Sequence, residues 1–270
     1  MMRRDDPRGR VREHHRSGSG VERIGYPICV RTAALVRREL VAPRMLRLTV
    51  GGPGLDGMHT YQADDHVKIV FPEPDGTRRD PVHNEETLEL DWPRPLPPTR
   101  TYTIRRYDAA AREMDLDFVL HEGGLASAWA TGAAIGEDVV IAGPPGAKAF
   151  PQHHDHYLFA IDATALPALG RWLEEAPAAA AATVVVETEH EDDHEYPLAE
   201  RDGVRYVRLV RNGDGSRLAD TVMGLAAPEG AFLVAAGEAD AIKPLRAWRK
   251  GRTDAYITGY WKRGVADLDG

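Results

Sequence analysis

Hydrophobic positions between residues 21 and 150 come in short runs of strand character: Ile28–Leu35, Met45–Val50, His66–Phe71, Arg100–Tyr107, Met114–Leu120 and Asp138–Ala142. The runs are rich in β-branched or aromatic residues, and Gly, Pro and Asp clusters separate them, which is the punctuation of strands joined by turns. With hardly a helical period among them, they predict a small antiparallel barrel. From His156 the texture changes. Tyr157–Asp162, Thr183–Glu187, Arg205–Val210, Phe232–Ala236 and Ala255–Tyr260 read as strands, with helices at Thr164–Glu175, Arg217–Gly224 and Ala239–Arg249. Strands alternating with helices imply right-handed crossovers and a parallel sheet. The expected chain is a β domain over 21–150 followed by an α/β domain over 151–270.

The first twenty residues, MMRRDDPRGRVREHHRSGSG, are polar and lack a hydrophobic period, so they read as a disordered tail, 1–20. The stretch DGTRRDPVHNEE and then DWPRPLPPT reads as a surface excursion, because its prolines are incompatible with central strands. The alanine run Ala178–Ala182 reads as the connection from a helix end to the next strand, and no internal repeat is present.

Composition narrows the function classes. Hydrophobic residues are 43% of the 270, enough for a sizeable core. Lys plus Arg number 34 against 42 Asp plus Glu, and a formal charge of −8 argues against a nucleic-acid partner. The longest apolar stretches fall well short of the roughly 20 residues of a membrane-spanning helix. One cysteine, Cys29, leaves no internal disulfide, and the Arg-rich start has no secretory apolar run, which together point to the cytoplasm. No heptad or repeated exposed apolar stripe is visible, so a monomer is expected.

Candidate chemistry sits at several strand ends. In ArgThrTyrThr, Arg100–Thr103, an Arg offers a planar fork to phosphate, and an aromatic two residues on projects to the same strand face. Any barrel strand could carry these residues by chance. In AspPheValLeuHisGluGlyGlyLeuAlaSer, Asp117–Ser127, a strand ends and Gly123 and Gly124 open a turn. A helix then begins, and its N-terminus suits a diphosphate; the ordinary alternative is a turn with Ser127 as the cap. Thr164, where the first α/β strand meets its helix, is placed for a nucleotide or merely caps that helix. No GxGxxG is present. GlyProProGlyAlaLysAla, Gly143–Ala149, is not a triphosphate loop, since Ala149 follows Lys148 where Ser or Thr would ligate magnesium. The His-rich patches Gln152–His156 and His190–Glu195 lack metal-ligand spacing and read as solvated connections. Past the strand ending at Glu187, residues Thr188, Glu189 and His190 include no Arg to meet a 2′-phosphate, a lean toward NADH over NADPH.

Taken in order, His66-Val67-Lys68, ArgThrTyrThr, AspPheValLeuHis with the following Gly-x-Ala-Ser-x-Trp-Ala, AspAlaThrAlaLeuPro, the GlyGluAla turn and the terminal GlyTyrTrpLysArgGly resemble the siderophore-interacting protein family. The match runs from about Ile28 to Gly264. The resemblance implies a six-stranded FAD-binding barrel and a nicotinamide-nucleotide domain, in which NADH or NADPH reduces FAD and the flavin reduces a ferric siderophore to release ferrous iron. It further implies that Arg100, Tyr102 and Thr103 contact the FAD phosphate and ring, that Val119, Leu120 and His121 line it, and that Gly124, Ala126 and Ser127 hold the diphosphate. Thr164, Gly237 and Glu238 would face the nicotinamide nucleotide, with Trp261 near the cofactor. Lys68, Lys262 and Arg263 would meet the siderophore. No catalytic side chain and no protein-bound metal is expected, since the flavin carries the chemistry.

The chain departs from the family pattern at Leu125, usually Pro, at Ala128, usually basic, at Ala163, usually acidic, and at Pro145, usually Arg. Two missing cations favour a less anionic siderophore. A general flavin or ferredoxin-linked reductase, and a siderophore-binding or redox-sensing flavoprotein with little turnover, remain open as alternatives.

Overall fold

A computed structural model describes residues 5–213, 215–226 and 228–265. The described residues divide into two compact units, one of residues 5–11 and Arg23–Lys148 and the other of Arg12–Glu22 and residues 149–265.

Six strands close the barrel of the first unit: β2 (Val30–Ala42), β3 (Met45–Gly51), β4 (His66–Val70), β7 (Thr99–Asp108), β8 (Glu113–Val119) and β9 (Asp138–Ala142), in the order β2-β3-β8-β7-β4-β9. All the pairings are antiparallel. They are the six runs read from the sequence. Closure leaves no open sheet edge, and alternate residues fill the interior: Leu35, Leu48, Val67, Ile69, Ile104, Leu116, Phe118 and Ile141 are all buried. A helix, α2 (Leu125–Gly132), adds Ala126 and Ala130 to this core, with Ala133 just beyond its end. Polar groups on the strands are paired across the ladder: Arg47 grips Asp117 through Nε at 2.7 Å and Nη2 at 2.8 Å, and Asp115 accepts from Thr49 and from Arg106, each at 2.7 Å.

Two further small sheets accompany the barrel. The Pro-rich excursion forms a two-stranded hairpin, β5 (Val82–Asn84) with β6 (Glu89–Asp91), outside the barrel ladder. Short β1 (Glu22–Gly25) pairs with β10 (Gly146–Ala149). Gly146 has φ +149°, and a Cβ there would lie 2.3 Å from the Ile24 carbonyl oxygen. Gly146 of the GPPG segment thus serves backbone packing.

The second unit is a five-stranded parallel sheet with helices: β11 (His156–Asp162), α3 (Leu166–Glu175), β12 (Ala181–Thr188), β13 (Val204–Val210), α4 (Leu218–Gly224), β14 (Phe232–Glu238), α5 (Ala239–Trp248) and β15 (Ala255–Trp261). The sheet order is β13-β12-β11-β14-β15. Residues of β11 and β14 are almost wholly buried, as a sheet covered on both faces requires. Alternation sorts β11: Tyr157 and Phe159 pack on Trp172 of α3 at centroid distances of 5.0 and 4.8 Å, while Leu158 and Ala160 join α4 and α5 in a second cluster. The order reverses between β11 and β14, so the crevice suited to a nucleotide opens at their carboxyl ends.

The N-terminal expectation needs correction. Pro7–Ser17 form a helix, α1, within the stretch read as a disordered tail. Asp6 accepts the Gly9 N–H at 3.0 Å ahead of Pro7 at the helix start, Arg16 lies in the last turn, and Val11 and His14 are buried. One buried valine is too little to register as a hydrophobic period. Residues 1–4 of that tail, and 266–270 of the α/β domain, lie outside the described residues.

Barrel packing at the turn after β3 generates a stability test. A Cβ at Gly54 would sit 1.8 Å from the Thr32 carbonyl oxygen, a backbone atom that cannot swing aside. Gly54→Ala is expected to cost about 1–3 kcal/mol, read as a lowered denaturation midpoint in urea.

Candidate functional site

In the barrel unit the candidate residues gather on β7 and at the β8–α2 turn. After Pro97 and Pro98, β7 pairs with β4 so that Arg100 faces Ile69, Tyr102 faces Val67 and Thr103 faces His66. Arg100 and Tyr102 share a strand face. The Tyr102 ring lies 4.0 Å from that of Phe118, and burial pushes its hydroxyl pKa well above the ordinary value. Arg100 is half-buried and donates Nη1 to the Thr99 carbonyl at 2.6 Å; no carboxylate pairs with it among the described residues. Lys68, half-buried on β4, is opposite Thr101 and Ala142.

At the end of β8, Val119 and Leu120 are half-buried and His121 is exposed. Gly123 takes φ +74°, and Gly124 starts α2 with no side-chain cap. A Cβ on Gly124 would fall 2.3 Å from the His121 ring. Ser127 is not the cap: it lies in the first turn, buried, and its Oγ accepts the His121 N–H at 3.0 Å, which folds the turn over the helix start. Ala126 is buried as well. The first amides of α2 therefore open toward the glycine turn, with the positive end of the helix dipole behind them. A helix start of this kind can accept an anion.

The α/β unit builds its candidate site around one carboxylate. Asp162, 7% exposed, ends β11 at the sheet's reversal point. Oδ1 accepts the Thr164 N–H at 2.9 Å and its hydroxyl at 2.5 Å. Oδ2 accepts the Glu238 N–H at 2.7 Å and the Trp261 Nε1–H at 2.8 Å. Burial pushes the carboxyl pKa up, and the four donors oppose that shift. A Cβ at Gly237, whose φ is +145°, would lie 2.6 Å from the Asp162 carboxyl, so only glycine fits. Thr164 therefore bonds back to Asp162 within a 3-10 turn, Ala163–Ala165, and does not cap α3. The Glu238 carboxylate caps α5, accepting the Ala241 N–H at 2.7 Å, and also takes the Arg263 N–H at 3.3 Å.

The terminal cations are paired. Lys262 Nζ lies 3.2 Å from Asp240, and Arg263 Nη2 lies 3.6 Å from Glu189 while its guanidinium carbon sits 5.9 Å from the Trp261 ring centroid. Two residues missed in the sequence reading now matter: Asp162, hidden inside its motif as a strand terminus, and Arg211, which follows β13 and reaches the end of β12. A local pattern could flag the first as an acid ending a buried strand; nothing local marks the second. Among the described residues no group of three or more His, Cys, Asp or Glu could hold a metal ion, and no helix is long and apolar enough to cross a membrane.

Comparison with known proteins agrees with this geometry. Residues 34–148 match the siderophore-interacting FAD-binding domain, and residues 154–264 match the siderophore-interacting protein model. A ferric vibriobactin reductase of Vibrio cholerae is 32% identical over 257 residues, covering 90% of this chain and 92% of that protein. An Escherichia coli NADPH-dependent ferric-chelate reductase is 36% identical over 154 residues, 57% of this chain and 59% of that protein. The crystal structure of a siderophore utilization protein from T. fusca superposes with a TM-score of 0.84 at 35% identity, covering 92% of this chain and 98% of that one. With its barrel, its parallel sheet and both matched segments in the same order, the chain belongs to the siderophore-interacting protein family.

Proposed function

We propose that this protein is an FAD-dependent ferric-siderophore reductase that takes its electrons from a nicotinamide nucleotide. The observation that carries the reading is the start of α2. It has no side-chain cap, the glycine pair Gly123–Gly124 precedes it, and Ser127 folds the turn back through the His121 N–H. These features fit the diphosphate of FAD. Bound FAD converts a two-electron hydride donor into single-electron reduction of ferric ion. Ferrous ion is held less tightly than ferric ion by hard oxygen ligands, so reduction of the ferric ion frees the metal from the siderophore.

The chain's own groups have positioning roles in this scheme. Arg100 supplies a planar, permanently charged fork for the FAD phosphate, with Tyr102 and Thr103 beside the ring and Val119, Leu120 and His121 lining it. Gly124, Ala126 and Ser127 offer backbone N–H groups to the diphosphate. In the α/β unit Thr164, Gly237 and Glu238 form the floor for the nicotinamide nucleotide. Asp162 acts through them as a positioning residue, and it fixes the Trp261 indole through Nε1. Lys68 and Lys262 are our candidates for the siderophore; with Lys262 neutralised by Asp240, a substrate of low negative charge suits the site better than a highly anionic one. We place the reaction in the cytoplasm, where nicotinamide nucleotides are available, with the protein acting as a monomer.

The test is an anaerobic titration of the flavin-loaded protein with NADH or NADPH, followed by a ferric siderophore and a ferrous chelator. Flavin bleaching and two ferrous chelates per nicotinamide oxidised are expected, the ratio that electron balance demands. Bleaching by dithionite alone would overturn the reading. Arg100→Ala is expected to weaken FAD binding by about 1.5–3 kcal/mol, roughly 10- to 150-fold, from loss of a charged hydrogen bond, measured by quenching of FAD fluorescence on the apoprotein. Asp162→Asn turns an NH2 toward two donors whichever way the amide is placed. The expected loss is roughly 1–3 kcal/mol per donor left unpaired, with a shift in tryptophan emission that Trp261→Phe abolishes.

A further inference from the structure

Cations crowd the far end of α5. Lys243, Arg246, Arg249, Lys250 and Arg252 fall within residues 243–252 of a chain whose formal charge is −8. Ile242 and Leu245 turn into the core and Trp248 packs against the same cluster, so these positions mark the inner side of the helix. With about 3.6 residues per turn, Lys243, Arg246 and Lys250 share the opposite side, and all three are exposed. That face runs past the last helical residue, because Arg249 keeps helical backbone and the Lys250 N–H donates to the Ala247 carbonyl at 3.3 Å. The following turn winds back on the helix end. The Arg252 and Thr253 N–H groups donate to the Arg249 carbonyl at 3.0 and 3.1 Å, and the Arg252 guanidinium carbon sits 5.8 Å from the Trp248 ring centroid. Among the described residues none of the five cations carries an ion pair, and the acid in the first turn, Asp240, is engaged by Lys262 at 3.2 Å.

Cations near a helix C-terminus complement its dipole, which accounts for Arg246, Arg249 and Lys250. That influence fades within one turn, so it does not account for Lys243, earlier in the helix, or for Arg252 beyond it. Like charges gathered without counter-charges repel one another, and an anionic surface relieves the repulsion. We propose that this face of α5 docks the protein peripherally on an anionic phospholipid bilayer. Charge complementarity selects the occupant. A protein partner calls for a dehydrated apolar centre with aromatic anchors, and none of the exposed large hydrophobics lies on α5 or in the turn after it. Single-stranded nucleic acid is gripped by stacking as well as by charge, and the one ring in this segment, Trp248, is half-buried with Arg252 beside it. A fluid layer of phosphodiester head groups requires neither, and each Lys or Arg near it raises affinity about five-fold. The acidic remainder of the chain is screened beyond about 8 Å at physiological ionic strength. No described helix is long and apolar enough to span a bilayer, so the contact is confined to the head groups and is reversible. The inference rests on these side chains alone and is independent of the reductase reading.

The test is co-sedimentation of the full-length protein with vesicles of phosphatidylcholine alone and with vesicles in which about one-third of the lipid is phosphatidylglycerol. Binding to the anionic vesicles and not to the neutral ones is expected, with release as salt shortens the Debye length toward about 3 Å. Joint replacement by Lys243→Gln, Arg246→Gln and Lys250→Gln is expected to weaken partitioning about 100-fold, the product of three such charges. The same change in net charge at other exposed positions, Arg23→Gln, Arg94→Gln and Arg205→Gln, is expected to weaken it only a few-fold. Circular dichroism checks that both variants fold, and the salt dependence of the parent protein needs neither of them. Equal binding to both vesicle types, binding to neither, or equal losses in the two variants would overturn the proposal. Retention by single-stranded RNA without binding to anionic vesicles would also overturn it and would identify nucleic acid as the partner of this face.

Discussion

A carboxylate taken out of water is tolerated only where donors replace the lost hydration, and Asp162 imposes that condition on the α/β unit. Its four donors come from three segments: Thr164 directly after β11, Glu238 ending β14 and Trp261 ending β15. Satisfying one buried charge therefore fixes the geometry of every strand end around the reversal point of the sheet. The same carboxylate fills the space that a side chain on residue 237 would need, which makes glycine obligatory there. Glu238, released from that space, turns its own carboxylate to cap α5 and to hold the Arg263 backbone. The polar groups of these strand ends thus satisfy one another.

The barrel unit solves a different problem. Its interior is filled by Leu, Ile, Val and Phe side chains and by the alanines of α2, so polar chemistry is confined to its surface and turns. Packing Ala126 and Ala130 into the core sets where α2 lies, and its start is left with Gly124 in place of a capping side chain. An uncapped helix start is normally a local weakness. Here the Ser127 hydroxyl braces the turn from inside the helix, so the backbone amides remain open while the loop stays folded. Arg100 and Tyr102 are likewise held by the ladder with β4 and by the Phe118 ring.

For an acidic chain that handles anionic ligands, the arrangement of cations matters more than their number. Lys262 is matched with Asp240 and Arg263 with Glu189, both at the ends of the parallel strands. Arg211 is matched with a buried glutamate and an exposed one. A pair with a solvated partner can exchange it for a ligand, whereas a pair with a buried partner cannot without leaving a charge stranded. Burial of the partner thus separates the structural cations from those able to bind.

The sequence by itself determined the elements. Periods of two and of about 3.6 residues, with Gly and Pro punctuation, marked all six barrel strands and the five strands of the sheet, since those signals are local and each run carries its own. The same signal missed α1, where a single buried valine leaves no period, and the caps it offered as alternatives at Ser127 and Thr164 are not formed: α2 starts after Gly124 with no side-chain cap, and Asp162 accepts the Thr164 N–H at the 3-10 turn. Which charges meet was decided only by the tertiary structure. Trp261 lies 99 residues beyond Asp162 and Arg211 lies 24 beyond Glu187, and no local pattern relates them. Parallel crossovers carry each strand back to the same edge of the sheet, so its site is assembled from strand ends that are neighbours in space and distant along the chain.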